Sequence, residues 1–180
     1  MEVANSERLR YRLLTEEDGQ LLFELDQDVE VMRYINGGHM TTMTEINEKF
    51  IPRLNAYLNP EKGWGLWGVF TEKDNRYLGW VLVRPMDYFS DSPEYKNLEL
   101  GWRFKRESWG LGYATEAAKQ IKKALIENGD VETFSAIAVL ENVGSINIMT
   151  KLGMEFVKQY VHQDNQLGDM DVVYYQCDAI

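Results

Sequence analysis

The segment Arg103-Phe104-Lys105-Arg106-Glu107-Ser108-Trp109-Gly110-Leu111-Gly112-Tyr113-Ala114 carries the strongest chemical signal in the chain. Two glycines join a strand-like stretch to a helix-like one. A helix start exposes about four unpaired N–H groups and carries roughly +0.5 of an elementary charge. Glycine tolerates positive φ and lets a ligand approach the backbone closely. The combination suits an anion, a pyrophosphate above all. Arg103, Lys105 and Arg106 cluster here in an otherwise acidic chain, the local reversal of charge that a polyanion needs. A dinucleotide fingerprint would need a third glycine where Thr115 stands, and an ATP P-loop would need a GxxxxGK run that is absent. Coenzyme A is the third candidate polyanion. The plainer reading of the same residues is a tight turn that packs a helix onto a sheet.

The flanking elements follow from periodicity. Lys96 to Phe104 reads as a strand, with Leu98, Leu100, Trp102 and Phe104 on one face and Glu99, Gly101 and Arg103 on the other. Gly65 to Thr71 and Tyr77 to Arg84 are strands before it, and Arg8 to Leu14 is an earlier one. Thr15 followed by Glu16-Glu17-Asp18 marks a helix start, and Gly37-Gly38 a break. Thr44 to Leu58 reads as a helix that Pro52 kinks or splits. After the glycine turn, Ala114, Ala117, Ala118, Ile121 and Leu125 form a helical stripe that Gly129 ends. Thr133 to Leu140 is a strand, Ser145 to Leu152 a short helix, and Phe156 to Val161 with Val172 to Tyr175 a late hairpin. The order predicts a mixed α/β layer fold, with helices covering a central sheet.

Composition sets limits. The chain has 180 residues, a net charge of −10 and 44 % hydrophobic residues, the profile of one globular domain spanning 1–180. A charge of that sign argues against nucleic acid as partner. His39 and His162 are far apart and Cys177 is the lone cysteine, so neither a metal site nor an internal disulfide is expected. No apolar run approaches a membrane span and the start has no signal-peptide pattern, so the expectation is no membrane and a cytoplasmic location.

Three segments together resemble the GNAT N-acetyltransferases. Glu107-Ser108-Trp109-Gly110-Leu111-Gly112 stands where that family has its acetyl-CoA loop, Q/R-x-x-G-x-G/A. The longer run Trp109 to Ala117 is similar to the subgroup of ribosomal-protein N-terminal alanine acetyltransferases. Asp28-Val29-Glu30-Val31-Met32-Arg33-Tyr34-Ile35 resembles that subgroup's first-helix ending, and Asn142 to Met154 its N-x-x-S…K-L-G-F motif. Glu107, Met154 and Met149 depart from the family pattern; Met149 stands where many members have a tyrosine acid.

The resemblance implies a splayed mixed sheet of about seven strands with helices on both faces. It implies acetyl-CoA as co-substrate, without a metal, and transfer of acetyl to a primary amine through a direct ternary complex. The acceptor would be a protein N-terminus, a polyamine or another small amine. It also implies site residues. The backbone of Trp109, Gly110, Leu111, Gly112, Tyr113 and Ala114 would hold the pyrophosphate. Phe104 and Arg106 would pair with the pantetheine arm, with the Phe104 N–H as oxyanion donor. Asn142 orients that arm or caps its helix, and Lys151 reaches a phosphate or is a plain surface lysine. Glu99 is the expected base and Ser145 the acid or thiolate stabiliser, each also readable as structural. Tyr34 is expected at the substrate. The alternative activities are a catalytically silent acyl-CoA-binding module and a nucleotide-binding α/β domain. The exposed late strands are compatible with a homodimer.

Overall fold

Strand β2 (Gly65–Thr71) shows how side-chain alternation divides the molecule. Trp67 and Val69 enter one core with Ala117, Ala118, Ile121 and Leu125. Leu66 and Phe70 enter a second core with Leu22, Leu25, Ile46 and Leu54. Successive residues point to opposite faces of a strand, so the two cores lie on opposite sides of one sheet.

The computed structural model describes residues 1–180. The sheet has seven strands in the order β1-β2-β3-β4-β5-β7-β6. The others are β1 (Leu9–Leu13), β3 (Tyr77–Met86), β4 (Glu94–Phe104), β5 (Thr133–Val139), β6 (Glu155–Asp164) and β7 (Gly168–Asp178). Helices α1 (Gly19–Leu25), α2 (Val29–Asn36), α3 (Met43–Glu45) and α4 (Ile51–Tyr57) belong to the second core's face. Helices α5 (Tyr113–Asn128) and α6 (Val143–Lys151) cover the first. This is the splayed, helix-covered α/β sheet that the sequence predicts.

Two boundaries differ from expectation for physical reasons. The helix expected over Thr44 to Leu58 forms as α3, a π-helical stretch Ile46–Phe50 and α4. Pro52 has no N–H to give to the preceding turn, and the π-helical stretch just before it, where Ile51 N–H reaches back to Ile46 O, lets the helix pass it. The late hairpin runs well past the expected Val161 and begins its return at Gly168. Its tip is polar, so no apolar alternation announces it. Asp164 holds it instead: Oδ1 accepts from the Gln166 and Leu167 N–H groups at 2.8 and 2.9 Å. Arg53 on α4 donates to Asp164 Oδ2 at 2.8 Å across 111 residues of chain.

The central feature is the junction of β4 and β5, the only parallel pair. Its register covers Asn97↔Thr133, Leu98↔Phe134 and Glu99↔Ser135, and then the strands part. A buried polar network closes the paired end. Ser135 Oγ donates to Asn97 Oδ1 at 2.7 Å and lies 2.6 Å from the Tyr174 hydroxyl. Asn97 Nδ2 and Gln176 Nε2 both donate to the Tyr174 hydroxyl, at 3.0 and 3.1 Å. Buried polar groups left without partners cost about 1–3 kcal/mol each, so such a network fixes one arrangement of three strands. Tyr174→Phe should therefore destabilise the fold by about 1–3 kcal/mol in urea titration. Because both residues share the network, the double variant with Ser135→Ala should cost less than the sum of the single variants.

Candidate active site

Where β4 leaves β5, its backbone has no neighbour on that side, while β3 remains paired with it on the other. Lys105 N–H donates to Leu78 O at 2.8 Å, which makes Phe104↔Gly79 a non-hydrogen-bonded pair. By the alternation of an antiparallel ladder, the main-chain groups of Trp102 and Phe104 then point away from β3, into the gap. The Phe104 carbonyl accepts from Trp109 Nε1 at 2.9 Å, and its N–H remains available.

The chain continues into the glycine loop, where Gly110 and Gly112 have φ of +73° and +81°. These are left-handed values that favour glycine. Gly112 is the N-cap of α5 and has no side chain to satisfy the helix start. The first intrahelical donor is Glu116 N–H, to Gly112 O at 3.0 Å. The six preceding N–H groups, Gly110 through Thr115, donate to no atom of the protein. A Cβ built on Gly110 meets nothing within 4 Å and projects into open space. Arg8 braces the loop from outside: Nη1 donates to Leu111 O at 3.0 Å and Nε to Glu116 Oε2 at 2.7 Å. Burial raises the Glu116 carboxyl, but the Ser6 and Arg8 contacts outweigh it and leave it below the usual range. An ionised residue is thus fixed in the first turn of α5 without consuming the free amides.

Phe104, Trp109, Gly110, Gly112, Tyr113 and Ala114 form one wall of a cleft of about 390 Å³, with Asn142, Ser145 and Lys151 opposite. Asn142 caps α6 by accepting from Ser145 N–H at 3.2 Å. Ser145 Oγ accepts from Trp102 Nε1 at 3.1 Å, which leaves the hydroxyl proton free to donate elsewhere.

A second cavity, of about 240 Å³, adjoins the cleft; Tyr34, Ile35, Trp102, Arg103, Asn142 and Ser145 border both. Its floor is β3 and β4, its cover α1, α2, the Ile46–Phe50 stretch and α4, and its flank the β6–β7 hairpin. Glu99 lies in its wall, 7 % exposed, with Arg84 Nε donating to Oε2 at 2.7 Å. Asp26 accepts from Arg103 Nη1 and from Thr41 Oγ1, both at 2.7 Å. Burial lowers Arg84, and the charge and hydrogen bond of Glu99 more than reverse it. Burial pushes the Tyr57 phenol in the same cavity up to about 12, so it stays protonated at neutral pH.

The expected residues are thus brought together in part. Phe104, Trp109, Gly110, Gly112, Tyr113, Ala114, Asn142, Ser145 and Lys151 share the cleft, Tyr34 lies at the junction, and Glu99 faces the adjoining cavity. Arg106 and Leu111 border neither. The basic cluster does not act as one. Arg103 crosses to Asp26, Arg106 pairs with Asp28 at 3.0 Å, and Lys105 lies over the Tyr77 ring. Met149 is a fully buried core residue. Sequence reasoning missed Arg53, Arg84, Asp26 and Asp164. Of these only Arg84 left a signal, as the cross-strand partner of Glu99 in a β3–β4 hairpin.

Comparison with known proteins is consistent with this geometry. The family model described as an acetyltransferase (GNAT) domain matches residues 8–155. The chain is 28 % identical over 167 residues to the uncharacterized N-acetyltransferase YnaD of Bacillus subtilis, covering 91 % of each chain. It is similar to the crystal structure of a GNAT-family acetyltransferase from Bacillus anthracis, with 24 % identity, a TM-score of 0.76 and 99 % of both chains covered. It also shares its fold with RimL, the ribosomal L7/L12 alpha-N-protein acetyltransferase solved with coenzyme A. There the TM-score is 0.75 at 13 % identity, over 99 % of this chain and 98 % of that one.

The ion pairs of the cavity predict an acid dependence. Burial raises Asp164, but the Leu167 and Gln166 amides with Arg53 and Arg84 hold it below the ordinary carboxylate value. A depressed carboxyl adds stability above its unfolded pKa and loses it as pH falls through the folded one. Stability should therefore decline below about pH 4. Asp164→Asn should make that decline shallower in urea titrations across the acid range.

Proposed function

The chain belongs to the GNAT acetyltransferase domain family, and from that premise we propose that it acetylates a primary amine that enters through the cavity between β3–β4 and the helices α1, α2 and α4. It is an acetyl-CoA-dependent N-acetyltransferase. The observation that carries the assignment of the binding site is the row of six backbone N–H groups, Gly110 to Thr115, that no protein atom uses. They suit a diphosphate, because a helix N-terminus and an unhindered glycine backbone supply both field and access.

The bound thioester supplies the acetyl group, and the products are an amide and a thiol. An ammonium acceptor gives up two protons in becoming the amide. One ends on the thiol and the other in solvent, so the protein must move protons at two places. Glu99 Oε1 has no protein donor and serves as the base, directly or through a water. Ser145, with its proton free, stands at the junction of the two cavities and stabilises or protonates the departing sulfur. The Phe104 N–H faces the gap and meets charge that develops on the carbonyl oxygen. Trp102 acts as a positioning residue, since its indole fixes the Ser145 rotamer.

Gly110→Val places a branched side chain in the open space over the amides. It should weaken acetyl-CoA binding at least tenfold in calorimetric titration, with urea stability measured alongside because the left-handed φ disfavours valine. An unchanged dissociation constant would overturn the cradle. Glu99→Gln should lower kcat by about 10²-fold or more, the scale of general base catalysis, while acetyl-CoA affinity stays the same. A silent acyl-CoA-binding module would instead release no thiol with any amine despite binding the carrier.

A further inference from the structure

We infer that the acceptor is an amine that itself carries a carboxylate, held by Arg53 and Arg84, and not a polycation; this rests on the acetyl-transfer reading above. An acidic chain suggests a cationic acceptor, yet the cavity is not acidic in effect. Its carboxylates are Asp26, Glu99 and Asp164, and each is matched by an arginine. Both oxygens of Asp26 are occupied by Arg103 and Thr41. Both oxygens of Asp164 are occupied, by two backbone amides and Arg53. Only Glu99 Oε1 remains, and that is the proposed base. A second ammonium on the acceptor has no counter-charge to meet.

The guanidiniums show the opposite balance. Arg84 uses Nε alone and Arg53 uses one Nη alone. Their other nitrogens have no protein acceptor, and none of them is sealed away, in contrast to Arg103 Nε, which is buried and unpartnered. Both side chains line the cavity and are mostly buried, at 11 % and 17 % exposure. Both lie near one aromatic ring, with Phe89 4.2 Å from the Arg53 guanidinium and 5.5 Å from that of Arg84. Tyr57 lies 5.6 Å from Arg84 on its other contact. Two mostly buried forks with spare donors in one cavity suit a carboxylate, because a planar guanidinium matches a carboxylate in charge and shape.

Register sets the spacing. Arg84 pairs with Glu99, and the junction with the cleft lies at Trp102, three residues along β4. At about 3.3 Å per residue this is roughly 10 Å. Gly101, between them, adds no side chain of its own, and the apolar Leu82 side chain of β3 packs against it there. The acceptor is therefore an elongated one, with its amine and carboxylate several bonds apart.

The test is a thiol-release assay with acetyl-CoA and three acceptors of equal chain length: an ω-amino carboxylate, its carboxamide and the corresponding diamine. The carboxylate should show a kcat/KM at least about tenfold above the other two, since the amide and diamine leave buried donors unpaired or repelled. Arg53→Gln should remove that preference by raising KM for the carboxylate, with acetyl-CoA affinity unchanged. This variant is chosen because Asp164 keeps two backbone donors when Arg53 is lost, whereas truncating Arg84 would leave Glu99 unpaired in the interior. Arg53→Lys should recover only part of the preference. Equal turnover of the three, preference for the diamine, or no turnover of the carboxylate overturns the inference. Turnover of the diamine with acetyl-CoA bound would leave acetyl transfer intact, whereas loss of acetyl-CoA binding together with all turnover would remove the premise itself.

Discussion

The parting of β4 from β5 after three residue pairs is the constraint on which the rest of the structure depends. Two parallel strands that stayed together would consume each other's backbone groups, and the sheet would offer no opening. Here the Asn97–Ser135–Tyr174–Gln176 network clamps the strands at one end. At the other, the indole of Trp102 reaches Ser145 on α6 across the space that the strands vacate. The gap exposes main-chain donors on β4, and the same strand then delivers the chain into the glycine loop at the head of α5. Backbone amides of the loop and the strand thus line one continuous cleft, and side-chain charge plays a small part in it.

On the proposed reading, that division of labour is how a chain of net charge −10 would hold a polyanion. The field would come from fixed amide dipoles, which cost no side-chain ordering on binding. The nearby cations are engaged elsewhere: Arg103 and Arg106 tie the loop's strand to the α1–α2 connection through Asp26 and Asp28. Arg8 with Glu116 fixes the first turn of α5. These pairs position the amides, and they leave the amides themselves open.

Much of the cleft was legible because it is local in sequence. Gly110 and Gly112 are two residues apart, the helix follows at once, and the strand's alternation already set Phe104 and Trp102 on one face and Glu99 and Arg103 on the other. The expected basic cluster does not form over the cleft, because Arg103 and Arg106 pair with Asp26 and Asp28 and Lys105 lies over the Tyr77 ring. The cavity beside β3 and β4 was far less legible. Arg53, Arg84 and Asp164 lie on a helix, a strand and a hairpin tip, and only tertiary packing brings them to one wall. The extended hairpin escaped for a related reason, since its tip is held by Asp164 and Arg53 and not by apolar alternation. Asn142 had two readings, and it fulfils the local one as a helix cap while also bordering the cleft.

The most direct test is residue-resolved amide hydrogen exchange with and without acetyl-CoA. In the free protein the amides of Gly110 to Thr115 should exchange quickly, because they have no internal acceptor. Bound acetyl-CoA should protect that run selectively, together with the Phe104 amide. Unchanged exchange along the run, while protection appears elsewhere on the molecule, would contradict the account.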